Sequence, residues 1–311
     1  MRSLAFAICS LAVFVLLAGG VVVIFGKPKA PPPFDPATLT WSEVTKSAAW
    51  EPRDSAAAFV YDNKMWIEGG LDGNNAPSGL HHAVEYGDAP YFNDIWSSTD
   101  GHTWKLEATS TDWKPRRSMS IVEFNGSLWM FGGWSPIDGY QSDVWESHDA
   151  IHWTKAVSKA AFIPREGQWV EVWQGKLWMT GGVNYEARKT FNDVWYSSDG
   201  ITWTEAPDAP WPSRWDHATA IFDGKLWMTG GMDLGAHKDN AFNDEWYTED
   251  GMTWTKVTDN AVWPARQGHQ LIPYQGYLWI LGRLNDDIDG GRNDVWYSKD
   301  GLSWTEAPSP L

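Results

Sequence analysis

One stretch recurs five times and sets what this chain can fold into. Residues 191–203 read Phe-Asn-Asp-Val-Trp-Tyr-Ser-Ser-Asp-Gly-Ile-Thr-Trp, and related stretches stand at 92–104, 140–153, 242–254 and 292–304. In every copy two tryptophans lie eight apart: Trp96/Trp104, Trp145/Trp153, Trp195/Trp203, Trp246/Trp254 and Trp296/Trp304. The first tryptophans of successive copies step by 49, 50, 51 and 50 residues. A fixed period of this size marks a repeat architecture, in which one supersecondary unit stacks on the next.

Each copy carries four apolar runs with strand-type alternation, here called strands a to d. In the third copy, a is 167–173, b is 176–180, c is 193–197 and d is 202–205. Turns such as Asn125-Gly126, Asp223-Gly224, Asp100-Gly101 and Asp250-Gly251 supply the φ > 0 positions that tight hairpins need. Four antiparallel strands per ~50 residues, repeated in tandem, spell an all-β propeller blade. The expected blades are 50–107, 113–156, 162–206, 211–257 and 263–307, within a domain of residues 39–311. A surplus copy of strand d, residues 40–44 with Trp41, precedes the first blade. Five blades is the expectation and six the alternative.

A Gly-Gly after strand b (Gly69-Gly70, Gly132-Gly133, Gly181-Gly182, Gly230-Gly231), an aromatic on strand c and a tryptophan on strand d resemble kelch repeats of the galactose-oxidase-like β-propellers. The fifth copy departs, with Gly282-Arg283. The resemblance implies four-stranded antiparallel blades, and ligands on the face bearing the d–a and b–c loops. Copper radical oxidases of this fold use a cysteine cross-linked to a tyrosine. The single cysteine, Cys9, lies outside the propeller, which excludes that chemistry. The Ser-Ser-Asp-Gly-Ile-Thr-Trp turn is also similar to the Asp-box of sialidase propellers, but one residue short of its spacing.

The N-terminus reads as an address. Residues 4–25 hold no charge, a run of 22, longer than the roughly 7–15 residues of a secretory core and near the ~20 of a bilayer span. Residues 1–26 are therefore expected to form a hydrophobic signal-anchor transmembrane helix, with a cleaved signal peptide as the alternative. Residues 27–38 form a Pro-rich linker. The propeller is then extracytoplasmic, either membrane-anchored or secreted or periplasmic. A net charge of −16 excludes nucleic acid as a partner and leaves membrane contact to the helix alone. With no cysteine in the folded part, no disulfide, cysteine-based zinc site or thiol nucleophile exists there.

Residues common to all copies serve blade geometry; a ligand site on a ring is sought where copies differ. Twenty of the 24 tryptophans fall at repeat positions, leaving Trp134, Trp169, Trp173 and Trp215. Trp134 and Trp215 are candidate stacking platforms for a sugar. Arg53, Arg116, Arg165, Arg214 and Arg266 each lie 13 residues before the strand-b tryptophan, and Asp94, Asp143, Asp193, Asp244 and Asp294 each precede the strand-c tryptophan. These invite two readings: a structural Arg–Asp pair per blade, or a crown of guanidiniums binding an anion. Further candidates are Glu166, Asp216, His217 and His269, and His81, His82 and Glu85 in the long first b–c loop. The unconstrained spacing of that loop gives no metal site, and no cofactor is called for. No Gly-x-Ser-x-Gly or phosphate-loop motif occurs. The expected function is a binding module for a glycan or protein partner rather than an enzyme. A periplasmic sugar-acid isomerase or epimerase is the first alternative, and a purely structural assembly module the second.

Overall fold

A computed structural model describes residues 34–75, 88–234, 241–283 and 292–308. The expected N-terminal helix and His81, His82 and Glu85 lie outside these residues. Among the described residues there is no α-helix; 3₁₀ turns stand at Pro36–Thr38 and Gly73–Asn75, and no helix is long and apolar enough to cross a membrane.

The chain from Asp35 onward is a five-bladed β-propeller of antiparallel four-stranded sheets. Blade 1 contains β1 (Ala57–Tyr61), β2 (Lys64–Glu68), β3 (Ile95–Ser98) and β4 (Lys105–Ala108). Blade 2 begins with β5 (Ser120–Phe124) and β6 (Ser127–Phe131). Its b–c loop folds into a small hairpin, β7 (Trp134–Ser135) and β8 (Gly139–Tyr140), before β9 (Val144–Ser147) and β10 (Trp153–Val157). Blade 3 repeats this plan with β11 (Trp169–Trp173), β12 (Lys176–Thr180), the hairpin β13 (Val183–Asn184) and β14 (Lys189–Thr190), then β15 (Val194–Ser197) and β16 (Thr204–Glu205). Blade 4 is β17 (Ala218–Phe222), β18 (Lys225–Thr229), β19 (Glu245–Thr248) and β20 (Trp254–Thr258), and blade 5 is β21 (Gln270–Tyr274), β22 (Tyr277–Arg283), β23 (Arg292–Ser298) and β24 (Trp304–Glu306).

Local chemistry explains the hairpins. Each a–b turn places two consecutive residues at positive φ, as in Asn125-Gly126 (53° and 83°) and Asp223-Gly224 (49° and 74°), the twist that suits a two-residue hairpin. The c–d turn is held by side chains. Asp199 Oδ1 accepts from the backbone N–H groups of Ile201 and Thr202 at 2.8 and 2.7 Å, and Ser197 Oγ accepts from Gly200 N–H at 2.9 Å. The same bonds recur around Asp100, Asp149, Asp250 and Asp300.

The turn also joins blades. Gly200 lies on the indole of Trp129 in the preceding blade, and a Cβ there would approach Trp129 Cε3 to 2.7 Å. Gly251 meets Trp178 and Gly301 meets Trp227 in the same way. Both faces of an inner blade are thus covered, which is why β6 is buried at all five positions instead of alternating. The core is a series of aromatic layers between blades, each buried indole removing large apolar area from water.

Backbone hydrogen bonds tie the inner ends of the blades together. Ser118 N–H donates to Ser55 O, Gly167 to Ser118, Asp216 to Gly167 and Gly268 to Asp216, at 2.8–3.3 Å. A second set runs from Gly70, Gly133, Gly182 and Gly231 N–H to Arg116, Arg165, Arg214 and Arg266 O. Four of the five junctions share these links. Among the described residues neither link recurs between blade 5 and blade 1. There Trp41 Nε1 donates to Pro308 O at 3.0 Å, joining the two ends of the described chain. Residues 40–44, expected as a surplus strand d, form no strand.

Candidate functional site

The five repeated arginines are taken up inside their own blades. Arg53, Arg116, Arg165 and Arg214 each grip their aspartate with both terminal nitrogens, at 2.6–3.1 Å, and Arg266 reaches Asp294 at 2.7 Å. One Nη of each also donates to a glycine carbonyl, that of Gly69, Gly132, Gly181 or Gly230 just past strand b, or of Gly282 near the end of β22. Each aspartate further accepts from the strand-c indole two residues on, at 2.7–2.8 Å. The arginine side chains are 0–2% exposed. In four blades this is a bidentate clamp tying strand c to the d–a connection, and in all five the guanidinium is committed within its own blade.

His217 and His269 are also packed between blades. Each ring Nε2 meets a threonine hydroxyl of the preceding blade, Thr180 at 2.9 Å and Thr229 at 2.8 Å, and each ring lies beside a tryptophan, Trp211 or Trp263. Burial first, then the neighbouring Arg214 or Arg266, holds both imidazoles well below the usual histidine range, so they are neutral.

What remains is the pair of positions directly after the repeated arginine, on the inner rim where the d–a and b–c connections meet. Bridges pair Asp54 with Leu71, Arg117 with Trp134, Glu166 with Val183 and Trp215 with Met232. The first position holds Asp54, Arg117, Glu166, Trp215 and Gln267; the second holds Ser55, Ser118, Gly167, Asp216 and Gly268. All five at the second position adopt positive φ, from 49° to 64°, although only two are glycine. Such backbone in serine or aspartate carries strain of about 1–2 kcal/mol each.

Here the copies differ, and their differences converge. Arg117 Nε and Nη2 bind Glu166 Oε2 and Oε1 at 2.8 and 3.0 Å across the blade 2–3 junction, both side chains buried. Although burial works against its charge, Glu166 keeps the Arg117 guanidinium protonated. Trp134 lies under that guanidinium, 5.3 Å from ring centroid to Cζ, with Tyr91 beside it at 5.4 Å. The blade 2 hairpin brings Tyr140 to the cluster, its hydroxyl 3.5 Å from Glu166 Oε1. Tyr185, at the tip of the blade 3 hairpin, stands edge-on to Trp215 at 5.7 Å. Burial, then Glu166, raises the pKa values of both tyrosines.

Asp216 completes the cluster. Its carboxyl lies over Gly167, where a Cβ would come within 2.8 Å of Oδ1 and 3.1 Å of Trp215 Cε3. Among the described residues no side-chain hydrogen bond or ion pair is made by this carboxyl. Burial, then Glu166 and Asp54, pushes its pKa up to about 8, with Arg117 opposing. It keeps partial solvent exposure.

The rim cluster therefore gathers four of the residues singled out in the sequence, Glu166, Asp216, Trp134 and Trp215. It leaves the five repeated arginines and the two histidines in the scaffold. Arg117, Tyr140 and Tyr185 were missed. Arg117 stands one residue past a repeated arginine that drew attention first; aligning the copies on that arginine shows five different residues in the next column. No protein-family model and no curated protein sequence matches the chain.

Proposed function

We propose that this protein is a binding module that receives a glycan at the mouth formed by Arg117, Glu166, Asp216, Trp134, Tyr140, Tyr185 and Trp215. The observation that carries this reading is the asymmetry of the rim: the positions directly after the repeated arginine collect fixed charge, an unpaired carboxyl and half-buried aromatics on one face. Indoles beside hydrogen-bonding groups suit a sugar, whose apolar faces stack while its hydroxyls need donors and acceptors. The kelch-like repeat supports the choice of face. The 22-residue uncharged N-terminal run and the Pro-rich spacer support presentation of the propeller outside the cytoplasm, tethered to the membrane or exported. Glycan-array binding, repeated with Trp215→Ala and Tyr185→Ala, tests the reading. A tenfold or greater loss in folded variants is expected; undiminished binding would remove the mouth as the site. Binding of proteins but no glycan would move the ligand class, and no binding of either would leave an assembly module.

Asp216 favours a second reading, an enzyme of sugar isomerisation or epimerisation. A carboxyl holding its proton near neutral pH beside the Arg117–Glu166 pair is an acid poised in a polar mouth. Mutarotation and epimerisation assays on uronic and other acidic sugars discriminate; absence of turnover would leave binding alone.

A further inference from the structure

We infer that the mouth selects a glycan bearing a primary ammonium, an amino sugar, held between Asp216 and Asp54; this rests on the reading of the mouth as a glycan site. Charge on the rim is unbalanced. Of the inner-rim residues directly after the repeated arginines, Asp54, Arg117 and Glu166 are charged, and Arg117 binds both carboxylate oxygens of Glu166 through Nε and Nη2. Asp54 and Asp216 have no ion-pair partner among the described residues. A cationic group entering the mouth therefore meets two unpaired carboxyls, whereas among the described residues directly after the repeated arginines no cation is left uncommitted for an acidic sugar. That reverses the anion preference suggested by the repeated arginines alone.

A second observation is independent of the carboxyls. Gln267 occupies the same rim position in blade 5, next to Asp216 around the ring through the Gly268 N–H to Asp216 O bond. It is 5% exposed, and its Oε1 has no hydrogen-bond partner among the described residues. The Trp215 indole N–H is likewise buried and unpartnered. Buried polar groups in native proteins are nearly always satisfied, so an orphan beside the rim is a place where a ligand can supply the partner. Gln267 Oε1, Asp216 and Asp54 ask for donors, and Trp215 Nε1 asks for an acceptor. An amino sugar offers both: three N–H donors on one nitrogen and hydroxyls beside it. A divalent ion does not fit, because among the described residues no three carboxylate or imidazole groups come together as a cage.

Proton linkage follows from the placement. Burial first, then the facing Glu166 and Asp54, favours the protonated form of Asp216; Arg117 opposes, and Tyr185 also faces it. An ammonium beside it stabilises the carboxylate, so binding at pH 7 releases a proton.

Isothermal titration of the full chain with glucosamine, glucose, N-acetylglucosamine, glucuronate and N-acetyl-lysine amide tests this. Repeating it in buffers of different ionisation enthalpy reads the proton. Glucosamine is expected to bind at least tenfold tighter than the other four, with proton release that vanishes in Asp216→Asn. Asp54→Asn, at an exposed position, is the second variant should Asp216→Asn fail to fold, and should weaken glucosamine several-fold. Glucose or N-acetylglucosamine binding as tightly as glucosamine would overturn the ammonium preference and leave the glycan site standing. Equal binding of the lysine amide would overturn the sugar. No carbohydrate binding at all would remove the glycan site itself.

Discussion

Replacing Arg165 by methionine separates the two roles open to the repeated arginines. Arg165 is fully buried and makes four hydrogen bonds: two to Asp193 at 2.6 and 2.7 Å, one to Gly181 O and one to Ile163 O, both at 2.9 Å. Its guanidinium also lies over Phe191 at 3.8 Å. Methionine keeps much of the volume and the contact with Phe191 but strands the Asp193 carboxylate, which retains only the Trp195 N–H at 2.8 Å. Removing one partner of a buried pair costs about 3–5 kcal/mol. For a domain of this size that corresponds to roughly 6–10 °C in Tm. Lys256, paired with Asp259 on the surface, is the control, and Lys256→Met should cost less than about 1 kcal/mol. Denaturant unfolding followed by tryptophan fluorescence gives both values, and the folded variant should bind ligand as the wild type does. If Arg165→Met unfolds within about 1 kcal/mol of wild type, the clamp is not what holds strand c, and the reasoning fails.

Other expectations follow from the same packing. Gly251→Ala and Gly224→Ala both place a side chain at positive φ (76° and 74°), but only Gly251 faces an indole, Trp178. Gly251→Ala should therefore lose about 1–3 kcal/mol more than Gly224→Ala by thermal melting, and equal losses would disprove the turn-on-indole contact. Glu245, bound to Trp263 Nε1 at 2.9 Å, has its pKa raised to about 8 by burial, and Glu171, bound to Thr219 at 3.0 Å, to about 7. The folded state thus holds protons that the unfolded chain releases above about pH 4.5, so these groups make stability fall as pH rises from there to about 7–8. Melting across that range should show Glu245→Gln gaining on wild type steadily toward pH 8; a constant difference would refute the shift. His217 works in the opposite direction. Its neutral, buried ring lowers stability as pH drops below the usual histidine range, and His217→Gln should lessen that loss in an acid melt.

The fold was legible because the repeat is written in residues that each do one mechanical task per blade. The Trp-x₇-Trp spacing is the c–d hairpin, whose Asp and Gly form the turn and whose Gly receives the indole of the blade before. Even the Arg–Asp pairing could be read, since one arginine and one aspartate recur in step. Strand a was placed two residues too early in blade 3, because Gly167 and Gln168 belong to the inner rim rather than to β11. His217 and His269 broke the repeat and so looked functional, yet their variation fills the space above Gly181 and Gly230 of the preceding blade. Sequence alone does not tell a position that varies to fit its neighbour from one that varies to meet a ligand. Asp216, Arg117 and Glu166 needed the rim's hydrogen-bond ring to bring three blades to one place.

The most direct test of a ligand site at the mouth is glycan-array binding of the wild type beside the double variant Trp215→Ala/Asp216→Asn, both checked for an intact melting transition. A mouth that receives the ligand predicts clear binding by the wild type and at least tenfold weaker binding by the double variant. Equal binding by the two would place the ligand elsewhere on the protein and contradict the assignment.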